Sequence, residues 1–327
     1  MKVAVLGAGS WGTALSIHLA RGGHDVVLWC RDIAVAQSLR DRGRHPRRLP
    51  GVAIPAQVVP TADLARAAEG ADTIVLSVPC ASYRAVLAAL PASSSPRRFL
   101  STAKGLDTES GRRMSELIRE GAPGAPVAAL SGPTFAEGVA RGDPSAAVVA
   151  DAGEGFAREL QAAFSTQELR LYSSEDLVGV ELCGALKNVV AIAAGIVSGL
   201  GFGHNTLAAL VTRGLAEIGR IVRARGGLDR TVHGLAGVGD LFLTCTGQQS
   251  RNRFVGEEVG RGRALAEILA QMPEVAEGAR TCLAVPTMAV RAGTEAPIAE
   301  AVVKVLYEGV APRDAIGQLM TRALKAE

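Results

Sequence analysis

Lys187 stands in the run Cys183-Gly184-Ala185-Leu186-Lys187-Asn188-Val189-Val190, where it is the single charge. An ammonium group in so apolar a segment must be paired or put to use. Desolvation lowers a lysine pKa, and a nearby cation lowers it further, so such a lysine can exchange a proton with an alcohol near neutral pH. Hydride removal from a secondary alcohol needs that base, because the hydroxyl proton leaves as the C–H hydride departs; in reverse, Lys187 protonates the new alkoxide. The plain alternative is a lysine at a helix edge whose head reaches water. Composition weighs against it. Of 35 basic residues only Lys2, Lys104, Lys187, Lys304 and Lys325 are lysine. Where Arg serves, this chain mostly uses it, and Arg cannot release its proton near neutral pH.

Further segments carry groups of the same kind. Lys104 follows an apolar strand in Ser101-Thr102-Ala103-Lys104-Gly105, and as a compact cation it suits a substrate oxygen or a phosphate, or else flanks an element on the surface. Ser77-Val78-Pro79 and Ser131-Gly132-Pro133-Thr134-Phe135-Ala136 occupy equivalent strand ends. In Leu235-Ala236-Gly237-Val238-Gly239-Asp240 a glycine-rich turn presents Asp240, whose carboxylate can bind substrate hydroxyls or position Lys187. Ser250-Arg251-Asn252-Arg253 precedes a helix and offers a hydroxyl, a guanidinium fork, an amide and N-terminal backbone N–H groups, a set suited to a phosphate dianion. An N-cap serine followed by surface arginines is the equal alternative.

Gly7-Ala8-Gly9-Ser10-Trp11-Gly12 is a G-x-G-x-x-G hexad between a strand and a helix. That context makes it a dinucleotide fingerprint: the glycines permit a tight turn and close backbone approach, and a pyrophosphate meets the helix N-terminus. Past the second strand, Arg31 follows Gly12 by 19 residues, and Asp32 comes next. An acid here would take the ribose 2′-hydroxyl, whereas an Arg stacks on adenine or pairs with a 2′-phosphate. Arg31 tilts the cofactor toward NADP(H) without excluding NAD(H). A solvated surface Arg beside Asp32 is the alternative.

The elements that must position these groups follow from the pattern. Strands are expected at 2–6, 25–29, 73–78, 98–101, 127–130, 146–149 and 169–172, apolar enough for a parallel sheet covered on both faces. Helical runs such as 13–21 alternate with them, which implies an N-terminal doubly wound Rossmann sheet in an α/β domain at 1–175. After that the strand signals stop. One long helix is expected at 176–200, apolar on nearly every side and therefore central. Others are expected at 206–225 with Asn205 as N-cap, 253–260, 264–271, 281–292, 297–307 and 312–324, making an all-α domain of 176–327.

The ordered set Gly7 to Ala14, Ser101 to Leu106, Ser131 to Ala136, Glu181 to Asn188, Leu235 to Asp240 and Ser250 to Arg253 resembles that of the bacterial NAD(P)-dependent glycerol-3-phosphate dehydrogenases, over essentially the full length. The resemblance implies a Rossmann domain followed by an all-α domain of the 6-phosphogluconate dehydrogenase type. It also implies interconversion of dihydroxyacetone phosphate and sn-glycerol 3-phosphate, in cells toward the latter, which feeds phospholipid synthesis. By resemblance Lys187 is the proton acceptor. Lys104, Gly132, Thr134, Asp240, Ser250, Arg251 and Asn252 contact the substrate. Gly7, Gly9, Ser10, Trp11, Gly12, Arg31, Lys104, Ala136, Arg251, Val275 and Glu277 contact NAD(H) or NADP(H). Arg48 departs from the family's usual aromatic residue near the adenine side, where it can stack or attract a 2′-phosphate. A homodimer is common among such enzymes, and the apolar helical half can supply its interface.

The remaining composition bounds the function. A net charge of +3 with 48% hydrophobic and 20% charged residues gives no nucleic-acid or membrane-binding surface and a core large enough for an ordered chain. Five scattered cysteines and five histidines lack ligand or pairing spacing, so neither zinc nor disulfides are expected. The first apolar run meets Gly7 too soon for a signal peptide, and Val189 to Gly203 is too short and glycine-rich for a span; a reducing cytoplasm is the expected setting. Two competing functions remain: a related dehydrogenase for another hydroxy or keto acid, which should lack the Ser250-Arg251-Asn252 set, and a non-catalytic NAD(P)-sensing module, which leaves Lys187 unexplained.

Overall fold

In the computed structural model, residues 1–92, 97–272 and 274–323 are described. The chain divides into two compact units, Met1–Ala103 with Arg113–Val180, and Lys104–Arg112 with Glu181–Glu327.

The first unit holds eight strands: β1 (Lys2–Leu6), β2 (Asp25–Trp29), β3 (Val58–Thr61), β4 (Thr73–Leu76), β5 (Arg98–Ser101), β6 (Val127–Ser131), β7 (Ser145–Ala150) and β8 (Leu169–Ser174). Between them run α1 (Ser10–Arg21), α2 (Ile33–Arg42), α3 (Leu64–Ala68), α4 (Tyr83–Ala89), α5 (Met114–Gly121), α6 (Ala136–Arg141) and α7 (Phe156–Phe164). The strands form one sheet in the order β3-β2-β1-β4-β5-β6-β7-β8. Alternate residues of the central strands feed opposite cores. Val3, Val5, Val75 and Leu100 pack with Leu15 and Leu19 of α1 and Phe156, Leu160 and Phe164 of α7. Ala4, Leu6, Ile74 and Leu76 pack with Tyr83 of α4 and Leu117 and Ile118 of α5. Burial on both faces is why these strands read as continuous apolar runs.

The Rossmann expectation holds, with two amendments. Val58–Thr61 is an eighth strand, short and interrupted by Pro60, paired in parallel with β2. It lies at the sheet edge, where a missing N–H is tolerated. β7 runs antiparallel to β6, so the sheet is mixed rather than wholly parallel. Apolar character reports burial and says nothing about strand direction.

The second unit is helical: α8 (Leu177–Gly199, beginning in the first unit), α9 (His204–Ala224), α10 (Asp229–Val232), α11 (Asp240–Thr246), α12 (Arg251–Gly260), α13 (Leu265–Gln271), α14 (Glu277–Arg291), α15 (Pro297–Tyr307) and α16 (Pro312–Met320). The expected end of the last helix, Leu324, and the fifth lysine, Lys325, lie outside the described residues. The start of α9 is capped by Gly203 with no side-chain bond, so Asn205 is not its cap. The glycine-rich stretch before Asp240 is a wide helical turn, Leu235–Gly239, running straight into α11.

Among the described residues α8 is the one helix long and apolar enough to cross a membrane, and 94% of its most apolar window is buried inside the protein. Its glycines have a packing reason. A Cβ on Gly195 would lie 2.0 Å from the Arg253 carbonyl oxygen, and one on Gly256 of α12 would lie 1.9 Å from that of Ile192. Glycine pairs four apart on each helix, Gly195 with Gly199 and Gly256 with Gly260, bring the two backbones into contact. That contact fixes the helix bearing Lys187 against the helix beginning with Arg251.

Gly256→Val is expected to destabilise the fold by about 3 kcal/mol or more, because backbone cannot yield as a side chain can. Gly317→Ala, in open space within α16, should hold or raise Tm, since Ala is the better helix former by about 1 kcal/mol. Calorimetric melting of both variants checks the contrast.

Candidate active site

In the second unit a buried charge cluster centres on Asp240, which is wholly inaccessible to solvent. The Lys187 ammonium donates to Asp240 Oδ1 at 2.7 Å and to Thr244 Oγ1 at 2.6 Å. The Lys104 ammonium donates to Asp240 Oδ2 at 2.7 Å. Thr244 spends its own proton on the Asp240 backbone carbonyl, 2.7 Å away, one helical turn back. Its oxygen is therefore left to accept from Lys187. The elements explain the meeting. α8 carries Lys187 on an otherwise apolar surface, the wide turn before α11 presents Asp240 at the helix start, and Thr244 follows four residues later on the same face.

Both site lysines stay close to the carboxylate but differ in access: the side chain of Lys187 is 7% exposed and that of Lys104 18%. Burial pushes the Lys187 pKa down, the charge of Asp240 opposes this, and Lys104 pushes it down again, leaving it at about 8. Burial alone would raise the Asp240 carboxyl; the two ammonium groups outweigh it and hold it below the usual carboxylate value. The cluster thus keeps one firm anion and one cation poised near neutrality, the pairing that general acid–base work uses.

A line of amides braces the cluster. Gly278 N–H donates to Asn252 Oδ1 (2.9 Å), Asn252 Nδ2 to Asn188 Oδ1 (2.9 Å), and Asn188 Nδ2 to the Lys104 carbonyl (2.7 Å). α14, α12 and α8 are thereby tied to the loop that bears Lys104. Its neighbours in sequence belong to β5, yet Lys104–Arg112 belongs to the helical unit, held there by this line and by Asp240. Thr244, Asn188 and Gly278 were not singled out from the sequence. The Asp240-to-Thr244 spacing and the position of Asn188 next to Lys187 are the signals that point to the first two.

Of the four-residue run at 250–253, Ser250 caps α12, accepting from Arg253 N–H at 3.2 Å, which is the N-cap alternative. Arg251 donates through Nη1 to the Val275 carbonyl (2.9 Å) and meets Glu274 at 3.1 Å, so Arg251 and Val275 are brought together. Glu277 opens α14.

In the first unit, Gly9 caps α1 with no side-chain bond to its amides, and the space where a Cβ would stand at Gly9 is open to 4 Å. Gly7, at φ +118°, would place a Cβ 2.4 Å from the Ser77 carbonyl oxygen, and Gly12 one 2.0 Å from that of Gly7. Two glycines are therefore demanded by the turn itself. The third leaves a backbone cradle over a helix N-terminus, which fits a dinucleotide pyrophosphate. Ser10 and Trp11 begin α1, and Trp11 packs on the core. Arg31 is exposed and Arg48 half-buried. Gly132 and Thr134 follow β6, with Thr134 N–H donating to the Gly132 carbonyl at 2.8 Å, and Ala136 opens α6.

A dinucleotide-binding sheet followed by a helical unit built round a buried lysine–carboxylate cluster defines a two-unit Rossmann dehydrogenase. Models of the N- and C-terminal parts of NAD-dependent glycerol-3-phosphate dehydrogenase match residues 2–157 and 176–317. The chain is 46% identical to the glycerol-3-phosphate dehydrogenase [NAD(P)+] of Citrifermentans bemidjiense, over 100% of this chain and 98% of that one. It is 47% identical to that of Nitratidesulfovibrio vulgaris over 100% of both. The crystal structure of glycerol-3-phosphate dehydrogenase from Coxiella burnetii superposes with a TM-score of 0.92 at 37% identity, covering 98% of this chain and 99% of that one. The chain belongs to the NAD-dependent glycerol-3-phosphate dehydrogenase family, and its cofactor is NAD(H) or NADP(H).

Asp240→Asn is expected to destabilise the protein by about 3–5 kcal/mol at neutral pH, since it leaves two ammonium groups facing a neutral amide. It should also lower the Lys187 pKa further by removing the anion that supports its charge. Denaturant unfolding at several pH values checks both: the penalty shrinks as pH rises and Lys187 is discharged.

Proposed function

We propose that the chain reduces dihydroxyacetone phosphate to sn-glycerol 3-phosphate with NADPH or NADH, reversibly, in the direction that feeds glycerophospholipid synthesis. The observation that carries this reading is the Lys187–Asp240–Lys104 cluster in a chain of this family.

Bound nicotinamide supplies the hydride that the carbonyl carbon of the substrate accepts. Lys187 Nζ gives its proton to the carbonyl oxygen as negative charge develops there, and in the oxidative direction the neutral amine takes the hydroxyl proton. Asp240 fixes the ammonium in place and supports its charge. Lys104 adds a second positive group, so the cluster carries a net positive charge that favours an anionic substrate. Arg251 carries five N–H donors in a fixed fork, and Nη1 serves the Val275 carbonyl and Glu274. With Ser250, Asn252 and the N-terminal amides of α12, Arg251 forms the phosphate end, and Gly132 and Thr134 add substrate contacts. Gly7, Gly9, Ser10, Trp11, Gly12, Arg31, Arg48 and Ala136 of the first unit, with Lys104, Arg251, Val275 and Glu277, hold the cofactor. In this reading the sheet unit, ending at Val180 rather than at the expected 175, is the NAD(P)-binding part, and the helical unit, with Lys104–Arg112, is the substrate part. Arg31 and Arg48 tilt the preference toward NADP(H). A homodimer in the cytoplasm is the assembly this reading carries. Exposed Val238 and Phe242, one turn apart, offer apolar surface, and sedimentation reads the result.

Oxidation of NADPH or NADH by the purified chain with dihydroxyacetone phosphate tests the activity, and no turnover with either cofactor overturns it. Lys187→Ala should cut kcat by about 10² or more, as loss of a general acid does. Because Lys187 must be protonated for reduction, the reductive rate should fall as pH rises through about 8, while glycerol 3-phosphate oxidation should rise over the same window.

Arg251→Ala should depress kcat/KM for the phosphorylated substrate far more than for dihydroxyacetone. An equal loss with both would remove Arg251 from the phosphate end.

A further inference from the structure

A carboxylate just past the second strand of a dinucleotide-binding sheet takes the ribose 2′-hydroxyl and works against a 2′-phosphate. Asp32 occupies that place, 20 residues after Gly12, but both its oxygens are engaged. Oδ1 accepts from Ala34 N–H at 2.9 Å, capping α2, and Oδ2 accepts from Arg47 Nη2 at 2.8 Å. The Ala34 bond first, and then Arg47, hold its pKa below the usual carboxylate value.

Arg47 comes from the loop between α2 and β3, and that loop is anchored to the glycine hexad. His45 Nε2 donates to the Ala8 carbonyl at 2.9 Å, and His45 Nδ1 accepts from Arg47 N–H at 3.1 Å. Two residues on, Leu49 takes φ +47°, alone among the described non-glycine residues in having positive φ. Such a conformation is strained and persists only where the surroundings hold it, and Leu49 bears it while buried against Ala14, Ile17 and Ala140. The Arg47 backbone is thus set by the same turn that would receive the pyrophosphate. The ion pair itself is exposed, with Arg47 at 65% and Asp32 at 47%. An exposed pair contributes little to stability, so stability is a weak reason for this scaffolding. Charge is a better one: residues 31–48 hold six Arg against two Asp, and Asp32 is the acid at the strand tip.

We propose that Arg47 is a specificity-determining residue: by pairing with Asp32 Oδ2 it masks the carboxylate that would otherwise select the ribose 2′-hydroxyl, and so admits a 2′-phosphorylated dinucleotide. The assignment rests on the NAD(P) dependence above and goes beyond it in naming the device that sets the choice. Arg47 acts through Asp32, and His45 holds Arg47 in register.

The test is the ratio of kcat/KM for NADPH to that for NADH in the wild type, Arg47→Ala, Asp32→Asn and the double variant; Asn preserves the helix cap. Arg47→Ala should lower the ratio about fivefold, the weight of one charge about 4 Å away in water. The change should fall on KM for NADPH, leave kcat with NADH in place and shrink at high salt. In the Asp32→Asn background, Arg47→Ala should leave the ratio unmoved. An unchanged ratio in the single variant, or an equal drop in both backgrounds, overturns the proposal; the second result would mean that Arg47 touches the phosphate itself. Calorimetric binding of 2′,5′-ADP and 5′-AMP to the same four proteins reads the same preference without turnover, so failure of the proposed activity and failure of this assignment are separate results.

Discussion

Removing an ammonium group from water costs several kcal/mol unless an anion and further acceptors replace its hydration. In this chain that constraint falls on Lys187, and much of the helical unit follows from meeting it. Asp240 supplies the anion, Thr244 the second acceptor, and the wide turn at Leu235–Gly239 delivers both from one helix face. Lys104 then shares the same carboxylate, so two cations are balanced on one anion. The imbalance is what makes the site useful. A lone Lys–Asp pair would keep its lysine charged well into alkaline solution, whereas burial and a second cation bring Lys187 into the range where protons move both ways.

Such a cluster works only if its members are held to within fractions of an ångström, and the bracing is mostly uncharged. The amide line from Gly278 through Asn252 and Asn188 to the Lys104 carbonyl joins three helices and a loop. The backbone contact of α8 with α12 removes the slack that larger side chains would leave. The same glycines that interrupt α8 as a candidate membrane span are the ones that let α12 approach. Asn252 serves this bracing whatever it contributes to the phosphate end.

The first unit shows a similar economy. Two of the three hexad glycines are required by close backbone approach and the third leaves open space, so a ligand is accommodated where the fold already demands a tight turn. The loop that returns to the hexad through His45 brings Arg47 to Asp32. Reading the strand tip from sequence gives Arg31 and an adjacent acid, and the acid alone would favour NAD. Its partner lies 15 residues further along the chain, where no spacing rule points.

What the sequence determined by itself is whatever depends on neighbours in the chain. The hexad between strand and helix, the helical period of the second half, the apolar surroundings of Lys187 and the order of the motifs are all local, and they sufficed for the fold class, the family and the enzyme class. Tertiary structure decided what depends on groups far apart in the chain. Asp240 lies 53 residues from Lys187 and 136 from Lys104, and only packing shows that one carboxylate serves both. β3, an edge strand with a proline, carries little apolar signal, and the direction of β7 is not legible because burial is indifferent to which way a strand runs. Lys104 follows a sheet strand in the chain; the bonds that draw it into the helical unit come from Asn188 and Asp240. Local sequence sets which groups are present and what element carries them, whereas a pKa is set by every charge and dipole within a few ångströms, and those are gathered from the whole chain.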